Sequence, residues 1–217
     1  MKNFVFDIGN VLATFNGRAF CRHYLDGEGA RRVYDSLFPD LWNQYDQGLI
    51  SEDQIVSQVS QQYPQYRKQI ETMMKEWPVL LKICWENVRF VSELPEDCYI
   101  LSNIPEAAEQ ALRNQGMLEF FKGGLYSWRE KLIKPDPEIF IRFLNQNHLS
   151  AGECVFIDDR ADNVQAASSL GFRAVQLKNI QDLKDVIEKL ISEEKDQDQK
   201  AAVRKPDLPE PVEIHHS

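Results

Sequence analysis

Four short apolar runs, set apart by helical patterns, constrain this chain more than any other feature. They are "NFVFDI" (3–8), "CYILSN" (98–103), "ECVFID" (153–158) and "FRAVQL" (172–177). A strand with one face in water alternates between apolar and polar. Near-continuous apolar character marks a strand covered on both faces, as in parallel sheets. A fifth segment, "GGLYS" (123–127), completes the set. Helices are predicted between them at about 105–116, 136–147, 161–170 and 180–194. Such alternation implies a parallel sheet with right-handed crossovers, an α/β fold of the doubly wound, Rossmann-like kind.

The helix boundaries carry recognisable signals. In "PDPEIFIRFL", Asp136 is the predicted N-cap, Pro137 takes the first helical position, and Ile139, Phe140, Phe143 and Leu144 make the buried stripe. Gly171 marks a helix stop after Leu170. The interval between the first two strands, about 15–94, is far longer than a βα connection. It reads as helical, with breaks near Pro39, Gly48, Pro64 and Pro78 and a helix start at Ser51 backed by Gln54. The expected organisation is a core of residues 1–14 and 95–192, a helical insertion at 15–94, and a polar tail at 193–217. Rich in charge, with prolines and no Phe, Trp or Tyr, the tail is expected to be disordered, its closing His215 and His216 included.

Composition excludes some classes of function. A net charge of −9 argues against a nucleic-acid partner and requires local cations wherever an anion binds. No apolar run reaches the roughly 20 residues that span a bilayer. After Lys2 the chain enters a strand pattern directly, without the form of a signal peptide, so no membrane partner and a cytoplasmic location are expected. Cys21, Cys84, Cys98 and Cys154 are widely spaced, as reduced thiols are. A monomer or a homodimer is expected.

In open parallel sheets, function collects at the carboxyl ends of the strands. Those ends carry Asp7, then Ser102 and Asn103, then Asp158 and Asp159, with Lys134 just before a core helix. Carboxylates, a hydroxyl and an ammonium at one edge suit a divalent cation and an anionic group. A carboxylate can attack phosphorus and become an acyl phosphate. Like-charge repulsion between it and a phosphate dianion calls for a bridging cation. Mg²⁺, which takes one or two carboxylates plus waters and phosphate oxygen, is the expected cofactor, held by Asp7 and Asp159. Ser102 and Lys134 would hold the remaining phosphoryl oxygens.

"FDIGNVL", "LSN", "KPDPEIF" and "FIDDRADNVQAA" resemble, in order, the four motifs of the haloacid dehalogenase superfamily, and the long insertion is similar to that family's helical cap. The resemblance covers about 1–192. "DIGNV" and "YDQGLIS" are most similar to YihX-like sugar-phosphate phosphatases. It implies a Mg²⁺-dependent phosphatase acting on a small phosphorylated metabolite, with Asp7 as nucleophile and metal ligand. It implies further that the Gly9 carbonyl and Asp159 complete the metal ligands, that Asp158 orients a metal-bound water, and that Ser102, Asn103 and Lys134 bind substrate. Most phosphatases of the family place a second aspartate, the general acid/base, where this chain has Gly9. A cap residue, or a water held by Asn10, would have to move the proton instead.

Candidates on the insertion are Arg18, Arg22, His23, Trp42, Tyr45 and Asp46, with Arg18 and Tyr45 the first expected to contact substrate. Asp162 and Asn163 read as dressing for the first turn of a helix. Two alternatives remain: a dehalogenase of 2-halo acids, which needs Asp7 but neither metal nor acid, and a binding or regulatory protein without activity.

Overall fold

The computed structural model describes residues 3–203. In chain order the strands are β1 (Asn3–Phe6), β2 (Ala13–Thr14), β3 (Lys82–Ile83), β4 (Asp97–Ser102), β5 (Gly123–Tyr126), β6 (Cys154–Asp158) and β7 (Arg173–Gln176). Five of them form one parallel sheet in the order β5-β4-β1-β6-β7. The winding direction reverses at β1, so the crevice beyond the carboxyl ends of β4, β1 and β6 is the topological switch point. Phe6 is in register with Ile100 and with Ile157, and Asp7 N–H donates to the Ile157 carbonyl at 2.9 Å. Asp7 and Asp158 therefore leave the sheet side by side.

The helices between β2 and β3 are α1 (Gly17–Tyr24), α2 (Gly27–Leu37), α3 (Asp40–Asp46), α4 (Glu52–Gln62) and α5 (Arg67–Glu76); after them come α6 (Trp85–Ser92), α7 (Glu106–Asn114), α8 (Ser127–Glu130), α9 (Pro137–Asn147), α10 (Ala161–Ser169) and α11 (Leu183–Val203). Both faces of the sheet are covered, which is why the central strands β1, β4 and β6 are largely apolar and buried. Phe4, Phe6, Ile100 and Ile157 pack towards Val88 and Val91 of α6 and Leu183 and Ile187 of α11. Val5, Leu101 and Phe156 pack towards Ile139, Phe140 and Phe143 of α9. The cap residues behave as their chemistry requires. Asp136 accepts from Glu138 N–H, Ser51 and Gln54 form a reciprocal capping box, and Gly171 turns with φ +93°.

The α1–α5 region has its own aromatic centre. Trp42 stacks on Phe38 and on Phe15 at 4.7 and 5.4 Å between ring centres, and meets Trp77 edge-on at 5.1 Å. The chain leaves for these helices and returns through an antiparallel pair, with Ala13 opposite Ile83 and Thr14 opposite Lys82.

Two sequence expectations need correction. Helix α6, placed by the sequence in the insertion, packs with the sheet: Asn87 Nδ2 donates to the carbonyls of Val11 and Ile180 at 2.9 and 2.8 Å. Its apolar face is complementary to the sheet, so helical character alone does not mark it as inserted. The tail expected to be disordered from 193 onward is helical at its start. Helix α11 runs on to Val203 through residues dominated by Glu, Lys, Gln and Ala, all good helix formers, and Arg173 pairs with Glu193 at 2.6 Å. The rest of that tail lies outside the described residues.

Candidate active site

Asp7, the first residue beyond β1, is buried. Its Oδ1 accepts from the Ser102 hydroxyl at 2.7 Å and lies 2.9 Å from the Lys134 ammonium. Oδ2 faces Gly9: a Cβ built there would sit 3.5 Å from it, an ordinary contact. Burial pushes the Asp7 carboxyl up to about 6, against the pull of Lys134 and with a push from Asp158.

Lys134 binds three oxygens from inside the protein: Asp7 Oδ1, Asp158 Oδ2 at 2.6 Å and the Leu101 carbonyl at 2.8 Å. Its three protons are thereby all engaged. Burial opposes its charge, but Asp158 and Asp7 outweigh burial and hold the ammonium above its ordinary range. The lysine is positioned through its backbone. Asn103 Oδ1 accepts from Lys134 N–H at 2.8 Å, and Asn103 Nδ2 donates to the Lys134 carbonyl at 2.9 Å. The Asn103 amide thereby clamps the Lys134 backbone from both sides. Ser102 is fully buried, and in this arrangement its hydroxyl orients Asp7.

Asp158 is fully buried and saturated, with bonds from Lys134, from Arg160 N–H at 2.8 Å and from Asn163 Nδ2 at 3.1 and 3.0 Å. Asn163 therefore does more than dress a helix turn. It is itself buried, in the first turn of α10, and reaches back to the strand end. Its placement five residues after Asp158, at the start of the helix that β6 feeds, was the available signal. Asp159 is half-buried, and its Oδ2 accepts from Asn10 Nδ2 at 2.9 Å. Asn10 stands in the left-handed region at φ +53°, which Asn tolerates and which turns its amide towards that oxygen. Burial raises the Asp159 carboxyl as well, against the Asn10 hydrogen bond.

Oxygens of Asp7, Asp158 and Asp159 all lie within 4.8 Å of one another. Since Asp158 is saturated, Asp7 Oδ2 and Asp159 Oδ1 are the carboxylate atoms left without hydrogen bonds among the described contacts. Two carboxylates that each keep an open oxygen, in a cluster no wider than 4.8 Å between ligand atoms, fit Mg²⁺, which completes its shell with water and substrate. The crevice, about 420 Å³, is lined by Asn10, Asp159, Gln176 and Lys178, among others.

The two insertion residues expected first at the substrate are engaged elsewhere. The Arg18 guanidinium lies over the Tyr34 ring, 4.4 Å from its centre. The Tyr45 hydroxyl donates to Glu52 Oε1 at 2.5 Å and accepts from Trp77 Nε1 at 3.3 Å. Tyr45 is buried among neighbouring helices, whereas Arg18 stays exposed on α1 with the Tyr34 ring beneath it.

A family model described as haloacid dehalogenase-like hydrolase matches residues 1–171. Among curated proteins, sesquiterpene phosphatase astK of Aspergillus oryzae is 28% identical over 180 residues, covering 81% of this chain and 89% of that protein. Drimenol cyclase drtB of Aspergillus calidoustus is 23% identical over 186 residues, and the match spans only 34% of it. A HAD-family enzyme of Bacteroides thetaiotaomicron, crystallised with magnesium and inorganic phosphate, superposes with a TM-score of 0.70 at 23% identity, over 82% of this chain and 95% of that one. L-2-haloacid dehalogenase of Xanthobacter autotrophicus gives 0.61 at 17% identity, over 82% and 77%. Likenesses at these identities establish the fold.

Proposed function

Because this chain belongs to the haloacid dehalogenase-like hydrolases, we propose that it is a Mg²⁺-dependent phosphatase that hydrolyses a small phosphorylated metabolite through a phospho-Asp7 intermediate. The observation that carries this reading is the division of labour between the oxygens of Asp7. Ser102 and Lys134 fix Oδ1, while Oδ2 stays without a hydrogen bond among the described contacts, in a cluster to which Asp159 brings a second carboxylate with an open oxygen. A dehalogenase needs an attacking carboxylate but no second free carboxylate next to it, so the pair favours phosphoryl transfer.

Asp7 Oδ2, Asp159 and, on the family resemblance, the Gly9 carbonyl would hold the metal. Bound there, Mg²⁺ would neutralise charge between the carboxylate and the phosphoryl oxygens. The protein's own residues do the rest. Lys134, ringed by acceptors and dry, supplies a fixed positive charge on the nucleophile's flank. Asn103 holds the lysine's backbone and Asn163 holds Asp158, so the charges need not reorganise when phosphate arrives. Helices α1–α5 act as a cap over this edge, shielding it from water and selecting the substrate. A cytoplasmic location accords with the free cysteines, and no helix among the described residues is long and apolar enough to cross a membrane.

Two substrate classes merit the first trial. The sequence resemblance favours sugar phosphates; the likeness to a sesquiterpene phosphatase, with the aromatic centre of the cap, favours isoprenoid phosphates. The decisive experiment is phosphate release from a panel of both classes, with Mg²⁺ and with EDTA, run beside Asp7→Asn. Turnover that needs Mg²⁺ and falls at least about 10³-fold in the variant is expected. An Asp7→Asn protein as active as the parent overturns the mechanism, and chloride release from 2-halo acids without metal selects the dehalogenase instead.

A further inference from the structure

When Asp7 attacks phosphorus, the departing oxygen needs a proton, and Gly9 has none to give. A Cβ at that position would make only an ordinary contact, so the backbone there is not held to glycine by crowding at Cβ. The proton must come from elsewhere, and most candidates are engaged. Asp158 is saturated, Asp159 holds Asn10 and borders the metal position, and Tyr45 donates to Glu52. The Asp46 carboxyl differs: it forms no hydrogen bond or ion pair with any described residue.

Its place is fixed by backbone contacts. Asp46 ends α3, and its carbonyl accepts from the buried Ser127 hydroxyl at 2.5 Å. The same Ser127 oxygen accepts from Ile104 N–H at 2.9 Å, two residues beyond Ser102. Two residues beyond Asp46, the Gly48 carbonyl accepts from Lys131 Nζ at 2.6 Å. Gly48 itself, at φ +63°, is pressed so close that a Cβ would lie 2.7 Å from the Trp128 carbonyl oxygen. Segment 46–48 is thus clamped onto the carboxyl ends of β4 and β5, beside the end of β1. Among the described residues, the charged group that acts on Asp46 is Asp7, and no cation there offsets it.

Resting on the phosphatase reading, we infer that Asp46 carries the proton in this site, donating it to the leaving oxygen and recovering it from the attacking water. In the first half-reaction an Asp7 oxygen bonds to phosphorus, the bond from phosphorus to the ester oxygen breaks, and the Asp46 carboxyl protonates that oxygen, releasing an alcohol. In the second, the Asp46 carboxylate takes a proton from water as the water oxygen bonds to phosphorus. The bond from phosphorus to Asp7 breaks, freeing the carboxylate and inorganic phosphate, and Asp46 is again an acid. Its environment suits the first role: burial, then the charge of Asp7, push the carboxyl well above the usual carboxylate range, and the negative end of α3 acts in the same direction.

The test compares two esters at saturating Mg²⁺, p-nitrophenyl phosphate, whose leaving group needs no proton, and the best alkyl phosphate from the panel. For Asp46→Asn, kcat/KM on the alkyl ester should fall about 10²–10³-fold and on the aryl ester less than about 5-fold. Phospho-Asp7 should also accumulate during aryl turnover, read by mass after an acid quench. Asp46→Ala should repeat the pattern, which keeps the test sound if one variant folds poorly. Equal falls on both esters would mean that Asp46 only shapes the site, and no fall on either would mean that it does nothing there; either result overturns the inference while the phosphatase reading stands. A parent protein that releases phosphate from neither ester overturns that reading itself.

Discussion

The strand-end side of the site and the inserted helices facing it are built on opposite plans. At the strand ends the fully buried charges are answered, Lys134 by Asp7, Asp158 and Leu101, and Asp158 by Lys134, Arg160 and Asn163, while Asp7 and Asp159 each keep one open oxygen. On the other side, rings pack rings, and Asp46 is held only by its backbone. Hydrogen-bonded charges fix the reacting atoms, whereas apolar packing fixes a wall and leaves one polar group free to work. On the proposed reading, catalytic geometry uses the first plan, and selecting a substrate and moving a proton use the second.

The largest effect should come from breaking the strand-end network. Lys134→Met leaves the carboxylates of Asp7 and Asp158 buried side by side without a cation. Removing one partner of a buried ion pair typically costs about 3–5 kcal/mol, so the variant should lose stability on that scale in urea and lose turnover at least about 10³-fold. A loss under about 1 kcal/mol would mean that water answers these charges and that the network does not hold the site. Ser127→Ala acts on the opposite side. It removes the donor to the Asp46 carbonyl and leaves Ile104 N–H unanswered. About 1–2 kcal/mol of stability should go, with alkyl phosphate turnover falling about tenfold. If Ser127→Ala is as damaging as Lys134→Met, the two sides are one mechanical unit and the contrast between them fails.

The contrast also explains what could be read from the sequence. Apolar runs such as "FVF" and "CVFI" announce buried parallel strands because coverage on both faces leaves no polar alternation, and Asp7, Ser102 and Asp158 mark the ends of those strands by breaking the runs. The topology then brings them together. Side chains whose partners lie far along the chain were hidden. Asn103 and Lys134 are 31 positions apart, and nothing local says that the amide will clamp the lysine. Aromatic and basic residues on the insertion have helical spacing whether they face substrate or one another, so Arg18 and Tyr45 could not be told from packing residues. Asp46 was visible only as one carboxylate among many on an acidic chain. Its lack of a partner is a property of three-dimensional placement.

The smallest effect is the most direct measure of what the metal does. Three carboxyls at the site, Asp7, Asp46 and Asp159, are held above their usual range, Asp7 at about 6, with burial the leading cause for each. In the unfolded chain they titrate near 3.8. Between these values the folded protein binds more protons than the unfolded one, so stability falls as pH rises through the window. Without metal, the parent should melt at a higher temperature at pH 5.5 than at pH 7.5, relative to Asp7→Asn, in which the Asp7 titration is gone. For a carboxyl titrating near 6 the gain is roughly 1 kcal/mol, or about 2–4 °C in a chain of this size. The carboxyls held low, Glu28 and Asp162, lose their partners' support only at more acid pH and do not mask the trend. Saturating Mg²⁺ should reverse the order, because it binds the deprotonated Asp7 and adds most stability where that form dominates. A parent whose melting shows the same pH dependence as Asp7→Asn, with and without Mg²⁺, would mean that Asp7 is neither desolvated nor a metal ligand, and the contrast between a charged edge and an apolar wall would lose its electrostatic basis.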